Sequence, residues 1–229
     1  LAAADTDDAI IKLLSTAPGR QRDVLIRAAR DRRTHGAETI LLQWAAAPDE
    51  VTRLEALTAL QQLGDAATVP PLIDRLLAAA TAEEQAAAER AIWLCSLRRT
   101  SFAEPATPLI EAYQRGNVNE RVLLLPVLGR IGGTHAAETI DAALADAQPD
   151  VRAAAVRGLA NWPDATLADR LIQLARQADV PMHRVWALRG YIRVVSLPGA
   201  RTAEQTVDML QEAWKITTRD VERHLILAR

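Results

Sequence analysis

The side chains able to do chemistry in this chain are few and scattered. His35 and His135 occupy the same slot in two near-copies of one stretch, Thr34–Ile40 (THGAETI) and Thr134–Ile140 (THAAETI), 100 residues apart. A shared metal ion would need them adjacent, so we read both as turn-lining or capping residues and expect no metal site. Cys95 follows Trp93 and Leu94 in an apolar helical run and reads as an inert buried thiol. Ser15, Ser96, Ser101 and Ser196 have no patterned base near them, and Gly132-Gly133 reads as a helix–helix turn, not a phosphate loop. These absences predict no catalysis and no cofactor.

Arginine is the more patterned residue. One run, Arg20, Arg22, Arg27, Arg30, Arg32 and Arg33, carries interleaved Asp23 and Asp31 and reads first as a solvated outer face, with an acidic or phosphate contact as the alternative. A second group, Arg170, Arg176, Arg184, Arg189 and Arg193, is placed along one side of the C-terminal third, with some members pairing to acids such as Asp150 and Asp179. An arginine also recurs early in successive helices, at Arg53, Arg121, Arg152 and Arg184.

These residues need elements to position them, and the clearest unit is Gln148–Ala178. Pro149 and Asp150 suit a helix start, where proline's missing N–H has no partner and a carboxylate meets the positive helix end. Val151, Ala155, Gly158, Leu159 and Trp162 fall on one face, with small residues that let another helix come close. Pro163-Asp164 breaks the helix. Leu167, Leu171, Ile172 and Leu174 then form the apolar side of a second helix. Neither helix can bury its stripe alone, so the unit needs copies of itself on either side.

Such copies fill the chain. Asp5–Thr16 reads as a second helix without its first; Arg20–Arg33 (Val24, Leu25, Ile26, Ala28 and Ala29 inside) and Thr34–Ala47 as a pair. The further pairs are Pro48–Gly64 with Ala67–Ala80, Thr81–Leu97 with Pro105–Arg115 across a longer link at Ser101-Phe102, and Glu120–Ile131 with Thr134–Ala147. The model unit follows, then Met182–Val195 with Thr202–Ile216, and a further helix from Asp220. The last apolar residue of each first helix is Leu63, Leu97, Ile131, Trp162 and Val194, spaced by 34, 34, 31 and 32. Alanine and leucine dominate, so we read the chain as all-α and as one repeat domain over 1–229, about six helix pairs with cut units at both ends. It begins without Met and stops inside a helix, so we expect a piece of a longer protein.

Composition bounds the function. With 49% hydrophobic and 24% charged residues the chain is globular, and a net charge of −2 gives no basic excess for a large nucleic-acid footprint. A lone cysteine makes no internal disulfide, so the fold does not need an oxidising compartment. No apolar run reaches membrane-spanning length and no signal peptide opens the chain; the compartment stays open between cytoplasm and periplasm.

The stretch PDVRAAAVRGLANWPDA resembles the HEAT-repeat pattern in its short bacterial, phycobilisome-lyase-type form. The resemblance covers nearly the whole chain and is weakest at Thr81–Arg115, where Arg90 stands at a position expected to be small and apolar. It implies a right-handed α-solenoid (an α-α superhelix) whose second helices line a concave surface that binds macromolecules, with flanking domains or other proteins as partners. Gln43, Asp74, Arg75, Glu111, Gln114, Asp169, Arg170 and Gln173 are the polar residues expected on that surface. Of the tryptophans, Trp162 and Trp44 take core slots, Trp214 and Tyr113 share a second-helix slot, Trp93 is ambiguous, and Trp186 stands where other copies tend to face outward, read as partly buried against a neighbouring helix with a partner or inter-domain contact as the alternative. The HEAT-type di-iron hydroxylase uses His-Glu dipeptides, which are absent here. The reading is therefore a protein-interaction scaffold within a larger bacterial protein. The alternatives are a HEAT-like DNA glycosylase holding a damaged nucleotide with Trp, Asp and Arg, a bilin lyase or its chaperone, and a passive spacer between domains.

Overall fold

Alanine-rich stripes set the packing. The computed structural model describes residues 3–98 and 104–229; the link at Ser101-Phe102 lies outside them. Among the described residues there are fourteen α-helices and no strand. The chain divides into two compact units, Leu1–Ala112 and Tyr113–Arg229.

The first unit holds α1 (Ala3–Thr16), α2 (Gly19–Arg32), α3 (Glu38–Trp44), α4 (Glu50–Leu63), α5 (Val69–Leu77), α6 (Ala82–Leu97) and most of α7 (Thr107–Arg115). A 3-10 turn, Ala66–Thr68, leads into α5. First helices stack on first helices, α2 on α4 and α4 on α6, while α3 and α5 pack beside them. Ala56, Ala59 and Leu60 of α4 and Ala88, Ala91 and Ile92 of α6 are fully buried. Small side chains on this face let the axes approach, and each buried leucine or isoleucine contributes about 2 kcal/mol.

The second unit repeats the plan with α8 (Val118–Ile131), α9 (Thr134–Leu144), α10 (Pro149–Ala160), α11 (Ala168–Gln177), α12 (Pro181–Val195), α13 (Ala203–Ile216) and α14 (Asp220–Leu227). Here α8, α10, α12 and α14 stack in succession. Each unit is thus a stretch of α-solenoid. Where α8 crosses α10 the backbones nearly touch, because Gly129 faces Gly158. Gly132 and Gly133, with φ of 75° and 97°, turn the chain from α8 to α9 in a conformation other residues rarely adopt. Tyr191 of α12 is buried, and its hydroxyl donates to the Met209 carbonyl of α13 at 3.1 Å. Burial, followed by the negative charge of Glu212, pushes its pKa up to about 12.

Starts and stops follow local chemistry. Asp49 accepts from the Thr52 amide at 2.9 Å, and Asn117 with Glu120 and Thr202 with Gln205 form capping boxes. Three expectations are corrected. The helix expected from Thr34 begins at Glu38, because Arg33 is left-handed (φ 56°) and Gly36 has φ 82°. Val24, expected inside, is exposed: Ile26 and Ala29 take the inward face, and a helix cannot turn five such closely spaced positions inward. Arg90 is exposed beside buried Ala91, so it occupies a solvent position rather than an apolar one.

Candidate binding surface

The recurring arginine has a common job. Arg53, Arg121, Arg152 and Arg184 are each the fourth residue of a first helix, namely α4, α8, α10 and α12. Three of them reach back to the carbonyls that end the preceding second helix. Arg53 donates to Ala47 and Pro48 at 2.9 and 2.7 Å, Arg152 to Asp146 and Ala147 at 2.7 and 2.9 Å, and Arg184 to Ala178. A cation on these unpaired carbonyls complements the negative helix end. Arg121 departs from the rule. It pairs with Asp146 at 2.9 Å and lies over the Tyr113 ring, 4.7 Å from its centroid.

A second recurring element sits one first helix further on. Glu84 is the third residue of α6 and Glu222 the third of α14; both are buried. In the first unit Arg53 and Glu84 meet directly, with Nε to Oε1 at 2.7 Å, and the Ala80 amide donates to the other oxygen at 3.0 Å. In the second unit the equivalent pair does not form. Glu222 is taken by Arg189, Nε to Oε1 at 2.8 Å, and its other oxygen lies 3.6 Å from Arg219 Nε. Each slot opens a cleft. The first is about 280 Å³ and is lined by Arg53, Leu57, Arg75 and Glu84 with Ala45–Ala47. The second is about 470 Å³ and is lined by Arg176, Arg184, Arg219 and Glu222 around Met182, Val185, Leu188 and Ile216. The latter volume falls within the range of small-ligand sites.

The residues expected on the second-helix surface are distributed over both units. Gln43 on α3 is exposed and Arg75 on α5 is half-buried in the smaller cleft. Glu111 and Gln114 are exposed on α7. Arg170 and Gln173 of α11 share a shallow groove of about 320 Å³ with Asp141 of α9. Arg170 donates to Asp141 at 3.1 Å, and Arg176 of α11 stands 3.5 Å from Glu212 of α13. The second helices of this unit are therefore joined by ion pairs, and their exposed face carries Glu138, Asp169, Asp208 and Glu212 against Arg170, Arg176 and Lys215. The acidic partners of the second arginine group are Asp141, Glu212 and Glu222 rather than the expected Asp150 and Asp179. Arg193 is the group's structural member: it donates to the Ala160 carbonyl at 2.9 Å and to that of Trp162, closing the end of α10.

Trp162 is buried as expected, with its indole N–H on Thr166 at 2.9 Å. Trp44 is only half-buried, under the Arg22 guanidinium 3.9 Å from the ring centroid. Tyr113 is buried but Trp214 is 43% exposed, with Arg223 over its ring, so the shared slot does not give shared burial. Trp186 is half-buried, stacked on His183 at 5.8 Å with Arg157 of α10 at 5.5 Å. In the basic run, Arg27 pairs with Glu55 at 2.7 Å, Arg30 with Asp31 at 3.0 Å and Arg32 with Asp7 at 3.9 Å, while Asp23 accepts from the Thr52 hydroxyl at 2.9 Å. Cys95 is buried, its thiol 3.4 Å from the Leu60 carbonyl, and burial pushes its pKa up. His35 and His135 are both exposed. Among the described residues no cluster of three His, Cys, Asp or Glu could hold a metal, and no helix is long and apolar enough to cross a membrane.

Stacked helix pairs closed by recurring arginines define a helical-repeat protein. Over residues 71–228 the chain matches the model of a family of unknown function, DUF5691, and it belongs to that family. It is similar to the archaeal HEAT-like repeats protein from Thermococcus onnurineus NA1, at 16% identity over 96% of this chain and 98% of that one, with a TM-score of 0.42. It is also similar to an engineered protein, at 16% identity over 97% and 94%, with a TM-score of 0.40. The helix pairing itself, rather than either likeness, establishes the fold. No curated protein matches the chain.

Proposed function

We propose that the protein is an interaction scaffold that binds a protein partner and catalyses no reaction of its own. The observation that carries this reading is the mixed, ion-paired face of α9, α11 and α13, where carboxylates outnumber cations. A polyanion would be repelled there, whereas a protein surface of interleaved charge and apolar side chains is matched. Gln43, Arg75, Glu111, Gln114, Arg170, Gln173 and Trp186 are the contact residues this reading assigns.

The test is retention from a lysate of an organism that carries the protein. Immobilised protein is expected to hold a specific polypeptide in moderate salt, with or without nuclease. Retention that disappears on nuclease treatment sinks the reading in favour of a nucleic-acid-directed role, and no retention at all favours a spacer.

A further inference from the structure

The two equivalent slots differ by one carboxylate. In the first unit the slot is closed on itself: Arg53 caps the preceding helix and also holds Glu84, whose second oxygen has the Ala80 amide. In the second unit Arg184 makes the same kind of cap through Nε to Ala178, but among the described residues no carboxylate pairs with it. The carboxylate that stands in Glu84's position, Glu222, has gone to Arg189 instead. Its second oxygen, buried and 3.6 Å from Arg219, accepts no hydrogen bond among the described residues. The larger cleft therefore has two unmet demands, an anion for Arg184 and a donor for Glu222. Between them lies aliphatic surface, including Met182, which is half exposed.

We propose that this cleft binds an acidic segment of a partner protein, a carboxylate next to an aliphatic residue. The carboxylate would fill the position that Glu84 fills in the first unit, pairing with Arg184. A backbone N–H of the segment would donate to Glu222, and the aliphatic side chain would cover Met182 and Val185. Charge complementarity selects this occupant: of the three guanidinium groups in the lining, Arg176 has Glu212 and Arg219 stands 3.6 Å from Glu222, while Arg184 has no carboxylate among the described residues. The inference rests on the protein-binding reading above and names the chemistry of its partner.

The carboxylate can come from an acidic side chain or from a chain terminus, and the probes separate the two. Fluorescein-labelled peptide pools of the form X-X-Glu-Leu-X-X with an amidated end, X-X-Gln-Leu-X-X with an amidated end, and X-X-Gln-Leu with a free carboxylate are titrated by anisotropy against the whole chain. At least one carboxylate-bearing pool should bind at least about tenfold more tightly than the neutral amidated pool, and the difference should shrink as salt rises. Arg184→Gln should remove that preference. Because Arg184 also closes α11, a second variant is needed. Met182→Asp puts a like charge in the cleft at the second residue of α12, where a carboxylate suits the helix start, and it should weaken the carboxylate pool at least about tenfold with the melting temperature unchanged. Equal binding of all three pools, or a preference that survives Met182→Asp, overturns the proposal. If a specific lysate protein is still held by the Met182→Asp chain while the pools show no preference, the cleft assignment falls and the scaffold reading stands.

Discussion

Gly129 and Gly158 meet back to back where α8 crosses α10: a Cβ on Gly129 would lie 1.9 Å from the Gly158 carbonyl oxygen, and one on Gly158 would lie 2.7 Å from the Leu125 carbonyl oxygen. Those neighbours are backbone, so no rotamer change relieves the clash. Gly129→Ala should separate the two helices and cost about 3 kcal/mol, at the upper end of the range for overpacked cores. The control is Gly199→Ala. Its new methyl would meet only the Arg201 guanidinium at 3.5 Å, and it should stay within about 0.5 kcal/mol of wild type. Urea denaturation of the two variants checks both values.

Arg53 and Glu84 tie α4 to α6, and their contribution should depend on pH in a defined direction. Burial alone would raise the Glu84 carboxyl, but the Ala80 amide and the hydrogen bond and charge of Arg53 outweigh it and hold it below the ordinary 4.5. With a depressed folded value, the unfolded chain takes up the proton first as pH falls. The stabilisation is therefore complete above 4.5 and disappears as pH drops through the folded value. Arg53→Met should cost about 2 kcal/mol at neutral pH, because it leaves a carboxylate buried with one amide partner. The cost should be smaller at an acid pH below the folded value of Glu84, leaving there the part due to the lost helix cap. Equal destabilisation at both pH values would show that the ion pair contributes nothing.

How much of this was legible in the residues follows from the range of the interactions involved. Helix pairs were readable because Pro163, Gly132 and the apolar stripe of Val151, Ala155 and Leu159 act within a few residues of themselves. The turn at Arg33–Gly36 was missed because only the left-handed backbone there stops the helix; THGAETI and THAAETI look alike, yet the first starts its helix at Glu38 and the second at Thr134. The recurrence of Arg53 and Arg184 was visible, but not the difference between them. Whether Arg184 keeps a carboxylate is decided by Arg189 and Arg219 competing for Glu222 across 33 and 3 residues, and spacing alone does not say which cation wins. The outward tendency of the Trp186 slot rested on its three other copies. At the Glu55 copy the arginine in the place of Arg157, Arg27, forms an ion pair, whereas Arg157 lies over the Trp186 ring and covers it in part.

Cys95 offers a direct probe of the first unit's core. The thiol is fully buried in α6, with the Leu60 carbonyl at 3.4 Å, and burial raises its pKa although Thr68 and Arg98 pull the other way. Both accessibility and thiolate fraction are suppressed, so native protein should react with a disulfide reagent only as fast as this unit opens. The rate should rise steeply across the urea transition. Rapid stoichiometric modification of native protein would contradict the burial of α6 against α4.

His183 should titrate below its ordinary value, and the cause can be divided by mutation. Its ring is stacked on Trp186 at 5.8 Å, and burial, followed by the positive charge of Arg152, pushes its pKa below 6.5. The groups facing it across the helix pair are cationic: Arg152 beside it, and Arg157 lying over the Trp186 ring. A depressed histidine is neutral in the folded chain while the unfolded chain has already taken up a proton. This site therefore adds stability above pH 6.5 and gives it up as pH falls from 6.5 through the folded value. Proton NMR of the His183 ring should place its midpoint below 6.5. Arg152→Gln should move the midpoint up by the smaller, coulombic part, while Trp186→Ala, which uncovers the ring, should move it further. If Arg152→Gln alone restores the ordinary value, charge rather than burial by Trp186 sets the shift, and the stack is incidental to His183.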